Sequence, residues 1–314
     1  MDVSLANQLI NLFSEMKIRH VTLIGGEPTI YPKLFEIIDY CKQRNICPGI
    51  VTNGLACKDI SFVDKLIEHG IHGLSISLKG ENRDVFEKIT GRDAFEETIL
   101  AVKNCLAKGI RVSMSMVLTE DNIYTFLDGV KKFLEIGVDN FHFSFCYEFN
   151  MDSSNKNYLS NHDIKNLVKS FIEVYPELDH ISHHRFSFQN GLPLCLWPED
   201  FLEKMNKKGQ ISTVCQLLAK SGLIFDTDGY IIPCNAMPTI KLGRFKKDFT
   251  TVSELLTFMD TANIKKVYSK LCGLPDTKCL NCRKLVNCGG GCVCQWTNYS
   301  FEELSPVIND DRRI

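Results

Sequence analysis

The sequence predicts an α/β protein: a partial, curved TIM-like (β/α) barrel with a polar interior, followed by a small cysteine-rich domain organised around ligands. Three observations carry this expectation. From Ser4 to about Gly137, helical patterns alternate with short β-rich runs, the signature of parallel βα units. Three of the expected strands are strictly two-faced, apolar on one side and polar on the other. Nine of the fourteen cysteines lie between Cys195 and Cys294, a stretch rich in Cys, Gly and turn residues and short of helical periodicity.

The first helix is expected over "SLANQLINLFSEM", with Ser4 as N-cap and Leu5, Leu9, Leu12, Phe13 and Met16 at helical spacing. Strands are expected at 20–24, 49–52, 74–78, 111–118 and 140–146, with helices between them at about 33–44, 60–69, 95–108 and 124–136. In "LSISL" the apolar set Leu74, Ile76 and Leu78 points away from Ser75 and Ser77. "VSMSM" and "FHFSF" repeat the alternation, with Ser113, Ser115, His142 and Ser144 on the polar side. A parallel sheet covered on both faces is apolar on both, so a polar face predicts a ligand-holding lumen. The alternative, an antiparallel sheet with one wet face, fits the helix-length connections less well. After Asn150 the βα rhythm stops. The expected divisions are a barrel over 1–150, a connecting region over 151–190, the cysteine domain over 191–300 and a tail over 301–314.

Composition narrows the function classes. Lys and Arg total 36 against 38 for Asp and Glu, so no basic field argues for nucleic acid and no acidic excess for disorder. No apolar run reaches the length of a membrane span, and "MDVSLANQLINLF" lacks the features of a secretory signal. A soluble cytoplasmic protein is expected, with neither nucleic acid nor membrane among its partners. In that setting dense cysteine points to metal or redox work rather than disulfides. The first five cysteines (Cys41, Cys47, Cys57, Cys105, Cys146) lack ligand spacing and read as small buried hydrophobes.

The run "LIGGEPTIYP" places two glycines, a carboxylate and a proline at the end of the first expected strand. Alone, this is an ordinary strand-ending turn. With "TNG" (Thr52 to Gly54) after the next strand and "SISLKG" (Ser75 to Gly80) at the third, it resembles the radical S-adenosylmethionine (radical SAM) enzymes. The resemblance implies that Gly25, Gly26, Glu27 and Pro28 receive the methionine end of SAM. The glycines permit close backbone approach and Glu27 accepts from the ammonium. It also implies that Asn53 reaches the methionyl group and Ser77 the carboxylate or ribose. The family often has Asp where Lys79 stands.

The C-terminal pattern is more specific. Cys215, Gly229 and Cys234, followed by Cys279-x2-Cys282-x5-Cys288-x3-Cys292, resemble the SPASM domain, which carries auxiliary 4Fe-4S clusters on radical SAM barrels. Thiolates are the ligands such clusters require. The resemblance implies one cluster on Cys279, Cys282 and Cys288 and a second on Cys215, Cys234 and Cys292. Cys195 is the candidate fourth ligand of the first. The second uses Cys294, lacks a fourth cysteine or loses it to truncation, and Cys272 is unassigned. A four-cysteine zinc knuckle over Cys279 to Cys292 is the alternative. The family's Cys-x3-Cys-x2-Cys, which binds the SAM-cleaving cluster, has no counterpart before Ser4, so an N-terminal truncation, and no SAM cleavage by the chain as it stands, is expected.

The function implied is hydrogen abstraction from a peptide or protein by a radical SAM/SPASM enzyme, an oxidoreductase drawing electrons from a flavodoxin- or ferredoxin-type reductant. A ribosomal precursor peptide undergoing crosslinking or maturation is the leading substrate. Sulfatase-maturase-like protein oxidation and a non-catalytic Fe-S or zinc peptide-binding protein are the alternatives. No catalytic acid or base is identified. His142, Tyr147 and Glu148 lie in or just beyond the last expected strand, equally placed for substrate contact or for a purely structural role.

Overall fold

The computed structural model describes residues 1–119, 121–145, 161–213, 215–219, 221–272, 274 and 276–292. The chain divides into two compact units, one of residues 2–144 and 169–188, the other of residues 1, 145–168 and 189–314. The first opens with α1 (Val3–Glu15), β1 (His20–Leu23), α2 (Leu34–Gln43), β2 (Cys47–Thr52), α3 (Ile60–His69) and β3 (Gly73–Ser77). It continues through α4 (Arg83–Thr90), α5 (Phe95–Ala107), β4 (Val112–Leu118), α6 (Phe126–Glu135), β5 (Phe141–Phe145), α7 (Asn161–Ile181) and β6 (Phe186–Gln189). With β7 (Ile211–Ser212) the strands form a seven-stranded sheet in strict sequence order, a curled parallel half-barrel.

Register explains the two faces. Leu23, Ile50, Leu74 and Val112 are neighbours across the sheet, as are Thr52, Ile76 and Met114. Paired residues of a parallel sheet share a face, and apart from the half-buried Leu23 these are buried. The opposite face carries Ser75 beside Ser113 and Ser77 beside Ser115, all half-buried. The expected polar side is therefore present as a stripe across β3 and β4, bordered on β2 by Val51. The helices supply apolar faces, such as Leu34, Ile37, Ile38 and Cys41 on α2 and Phe126, Leu127, Val130 and Phe133 on α6. Cys41, Cys57 and Cys105 are fully buried and Cys47 half-buried. Burial pushes the Cys41 thiol up to about 11. A hydrogen bond with Cys57, then burial, raises that of Cys105.

Several local expectations are revised. The N-cap of α1 is Asp2, whose carboxylate accepts from the N–H of Ser4 at 2.8 Å and of Leu5 at 3.3 Å; Ser4 already lies inside the helix. The short α4 buries one residue, Phe86, too little for a visible period, although its Asn82 N-cap and left-handed Gly91 C-cap are sequence signals. The βα rhythm does not end at Asn150. α7 and β6 extend it, and Pro176 inside α7 interrupts the pattern that Phe171, Tyr175 and Leu178 would otherwise make. Phe171 stacks on Phe188 with ring centroids 4.6 Å apart.

The second unit holds α8 (Glu199–Lys207), α9 (Gln216–Ala219), α10 (Val252–Met259), α11 (Ala262–Leu271) and α12 (Leu285–Cys288). A small antiparallel sheet joins β8 (Ile224–Phe225), β9 (Tyr230–Ile232) and β10 (Gly243–Arg244). It is more helical than its composition suggests. α10 begins with a capping box between Thr251 and Glu254, a readable signal that the cysteine density overshadowed.

Gly80 gives a test of the packing that ends β3. A Cβ there would meet the Phe86 backbone nitrogen at 2.6 Å, so side-chain motion cannot relieve it. Gly80→Ala should destabilise the chain by about 1–3 kcal/mol in urea unfolding. Wild-type stability would show that α4 is free to shift.

Candidate cofactor sites

The turn after β1 is built around one carboxylate. Glu27 caps the 3-10 turn of Pro28–Ile30, and Pro28 sits at its first position, where a missing N–H costs nothing. Glu27 Oε1 accepts from the Thr29 N–H at 3.1 Å, the Thr29 hydroxyl at 2.6 Å and the Thr52 hydroxyl at 2.6 Å. Oε2 accepts from the Asn53 N–H at 2.8 Å. Thr52, a polar residue in a buried row, is satisfied on both sides, since its hydroxyl also accepts from the Gly54 N–H at 3.0 Å. The side chain expected to meet an ammonium is thus first a clamp between the ends of β1 and β2. With about two lone pairs per oxygen, only Oε2 retains a position for another donor.

Gly25 and Gly26 are exposed, neither has a positive φ, and a Cβ on either would meet nothing within 4 Å. Neither backbone conformation nor packing requires glycine there. What the two glycines provide is bare backbone beside the clamp, which is what close approach of a ligand needs. Asn53 uses its Oδ1 to accept from the Leu55 N–H at 2.9 Å, which leaves its NH2 on the ligand side of the bookkeeping. Ser77 ends β3 on the polar stripe, and Lys79 is exposed. Two residues missed by the sequence reading matter here: Thr29 and Thr52, the hydroxyls that hold Glu27. His142 Nδ1 lies 2.6 Å from Ser187 Oγ; Tyr147 and Glu148 lie outside the described residues.

In the second unit the cysteines are gathered by segment. Residues 191–199 run along 283–292. The Leu194 N–H donates to Cys288 Sγ at 3.3 Å, the Cys292 N–H donates to the Gly191 carbonyl at 2.6 Å, and Arg283 pairs with Glu199 at 3.1 Å. The Cys279 thiol is pushed up by burial, then by the nearby Cys195 and Cys288. Cys282 sits on the same turn, its N–H bonded to the Cys279 carbonyl at 3.1 Å. Cys195, Cys279, Cys282 and Cys288 therefore form one neighbourhood.

Gly289, Gly290 and Gly291 have φ of 60, 88 and 81°, a left-handed run that L-residues avoid. The run packs closely against Gly191 and Pro193, where a Cβ on Gly291 would meet the Pro193 nitrogen at 2.8 Å. Cys292 instead packs with Cys215 and Cys234 against a core of Leu217, Met237, Ile264, Tyr268 and Leu271. No disulfide joins the described cysteines, and among the described residues no three His, Cys, Asp or Glu side chains are placed to hold a single ion. The all-thiolate donor chemistry fits iron-sulfur clusters. Cys294 lies outside the described residues.

Comparison with known proteins agrees on the first unit. Residues 2–133 match the radical SAM superfamily. A probable GTP 3',8-cyclase from Sulfurisphaera tokodaii is 36% identical over 131 residues, 41% of each chain. One from Saccharolobus islandicus is 32% identical over 164 residues, 50% of each. The chain thus spans half or less of the length of these curated relatives. Among solved structures, native anSMEcpe with bound AdoMet and Kp18Cys peptide superposes with a TM-score of 0.68 at 18% identity, covering 98% of this chain and 91% of that one. Streptococcus suis SuiB bound to S-adenosylmethionine gives 0.67 at 18% identity, covering 94% and 67%. At this identity these likenesses establish the fold. Among the described residues no helix is long and apolar enough to cross a membrane.

The clamp has a pH signature. Burial raises the Glu27 pKa, but hydrogen bonds from Asn53, Thr29 and Thr52 outweigh it and hold the carboxyl below its ordinary value of 4.5. A folded pKa below the unfolded one gives stability that is present above the unfolded value and lost as pH falls through the folded one. Glu27→Gln should cost about 1–2 kcal/mol at neutral pH, a figure reduced for partial exposure. The gap from wild type should shrink in acid below the ordinary glutamate range. Urea unfolding at several pH values checks this, and a pH-independent gap would mean the charge is not what holds the turn.

Proposed function

We propose that this chain, which matches the radical SAM superfamily over residues 2–133, serves a radical SAM enzyme that acts on a peptide or protein substrate, its cysteine-rich unit holding auxiliary iron-sulfur clusters, while the SAM-cleaving cluster would need a Cys-x3-Cys-x2-Cys that this sequence does not contain. The observation that carries the reading is the pairing of a bare Gly25-Gly26 backbone beside the Glu27 clamp with a second unit whose thiolates gather in two neighbourhoods. When bound, SAM and a reduced 4Fe-4S cluster supply hydrogen-atom abstraction through a 5'-deoxyadenosyl radical.

In this reading the protein's residues hold and shield. Gly25 and Gly26 offer backbone to the methionyl end of SAM, and Pro28 fixes the turn behind them. The open side of Glu27 Oε2 takes one proton of the SAM ammonium, the Asn53 amide meets the methionyl group, and Ser77 meets the carboxylate or ribose from the polar stripe. Cys195, Cys279, Cys282 and Cys288 hold one auxiliary cluster. Cys215, Cys234 and Cys292 would contribute to another. A flavodoxin- or ferredoxin-type partner would provide electrons, and clusters held by these cysteines would supply a site for electron acceptance or peptide binding. The peptide-bound anSMEcpe structure and SuiB bound to its precursor peptide SuiA support a peptide substrate on the same fold.

A second reading, GTP 3',8-cyclisation, is favoured by the names of the curated relatives. Those matches cover half of the chain or less. Peptide chemistry is preferred because it gives the cysteine-rich unit a role. Binding separates the two. Peptides encoded by short reading frames beside the gene should bind in fluorescence anisotropy, and GTP should not compete. GTP binding without peptide binding would select the cyclase.

Two further outcomes are expected. Anaerobically reconstituted protein should contain iron and labile sulfide in near-equal amounts; stoichiometric zinc without sulfide would support the knuckle instead. Gly26→Val should leave the melting temperature unchanged, because its Cβ meets nothing within 4 Å. It should weaken SAM binding in calorimetry about tenfold or more, roughly 1.4 kcal/mol. Unchanged affinity would make "GGEP" only a strand-ending turn.

A further inference from the structure

We infer that Cys272 is the fourth thiolate of the second cysteine neighbourhood, completing a four-cysteine cluster site with Cys215, Cys234 and Cys292. The inference rests on the proposal that this unit holds iron-sulfur clusters, and it names a ligand that neither sequence spacing nor chain order indicates.

The placement comes from four separate elements converging on one small core. Cys215 precedes α9 and its carbonyl accepts from the Ala219 N–H at 2.8 Å. Cys234 follows β9, in a turn closed by the Met237 N–H at 2.9 Å. Cys292 arrives through the left-handed glycine run. Cys272 is the C-cap of α11, its N–H bonded to the Tyr268 carbonyl at 2.9 Å. All four are half-buried and pack against Leu217, Met237, Ile264, Tyr268 and Leu271. Three of those five residues come from α11 itself, so the helix that builds the core also delivers the sulfur.

The remaining described thiols of the unit sort themselves. Cys195, Cys279, Cys282 and Cys288 are absent from that packing and share the other neighbourhood. The division into two sets of four matches the number of thiolates a cubane cluster takes. Cys272 is only seven positions before Cys279, yet it packs with the other set, because it caps α11, whose Ile264, Tyr268 and Leu271 build that core, whereas Cys279 and Cys282 lie on the following 3-10 turn and are absent from it. The surroundings suit the ligand as well. The four half-buried cysteines share an apolar core, and the strands of this unit are two or three residues long, too short to hold the unit by their own ladders. In a unit so slight, ligand binding and folding are coupled.

The test uses the full chain, reconstituted anaerobically with iron and sulfide, and compares wild type with Cys272→Val, Cys272→Asp, Cys294→Ala and Cys279→Ala. Valine keeps an apolar side chain of similar size, so a packing role predicts the wild-type iron content. The ligand role predicts about four fewer irons and sulfides per chain, or a three-iron cluster seen by electron paramagnetic resonance without reductant. Aspartate, an alternative anionic ligand, should restore iron with altered g-values. Cys279→Ala should remove the other cluster's signal and leave this one. Wild-type iron and spectra in Cys272→Val, with loss in Cys294→Ala, would overturn the assignment in favour of Cys294. Absence of labile sulfide from the wild type would instead overturn the cluster reading beneath it. Iron retained in Cys272→Val alongside intact Cys294→Ala would mean a three-thiolate site and would also overturn the inference.

Discussion

The mouth of the half-barrel depends on how one carboxylate is solvated. Glu27 leaves β1 with its charge half-buried, and that burial is tolerable because two hydroxyls and two backbone N–H groups turn toward it. Two of those donors belong to the end of β2, so the clamp also fixes the spacing between neighbouring strand ends. The consequence for the glycines is direct. Gly25 and Gly26 need no packing of their own, because the residue after them is anchored, and their backbone stays open on the lumen side. Rigid support next to bare backbone is the condition under which a turn can bind a ligand without first ordering itself.

The same economy runs through the sheet. One face of β3 and β4 is Leu, Ile, Val and Met under helices, and the other is a row of serines in register. Serine is small enough to leave volume and polar enough to offer hydrogen bonds from any rotamer. Thr52 is the exception on the buried face. Its hydroxyl is used twice, once toward Glu27 and once from Gly54, so the buried polar group links the packed side of the sheet to the turn after β1.

Much of this was legible before any coordinates. Period-two alternation in three strands located the polar face, because that signal is local. What escaped was short or distant. α4 spans two turns with one buried residue, and α7 carries a proline that breaks its pattern. The partnership of Glu27 with Thr52 joins residues 25 positions apart through a strand register that no local rule supplies. Cys272 was left unassigned because no spacing rule places it, and its packing beside Cys215, Cys234 and Cys292 against one small core joins segments far apart in the chain.

The contact between the Leu194 N–H and Cys288 Sγ spans 94 residues, and it has a consequence for the order of events during synthesis. The βα units of the first half pair with sequence neighbours, so each can form soon after it leaves the ribosome. In the cysteine unit the described Cys195–Cys279–Cys288 neighbourhood closes only once residues 191–199 meet 283–292, and long loops are slow to close. Its thiols therefore spend the longest interval of the chain's early life unprotected, and protection of that interval from oxygen and stray metal falls to the cell.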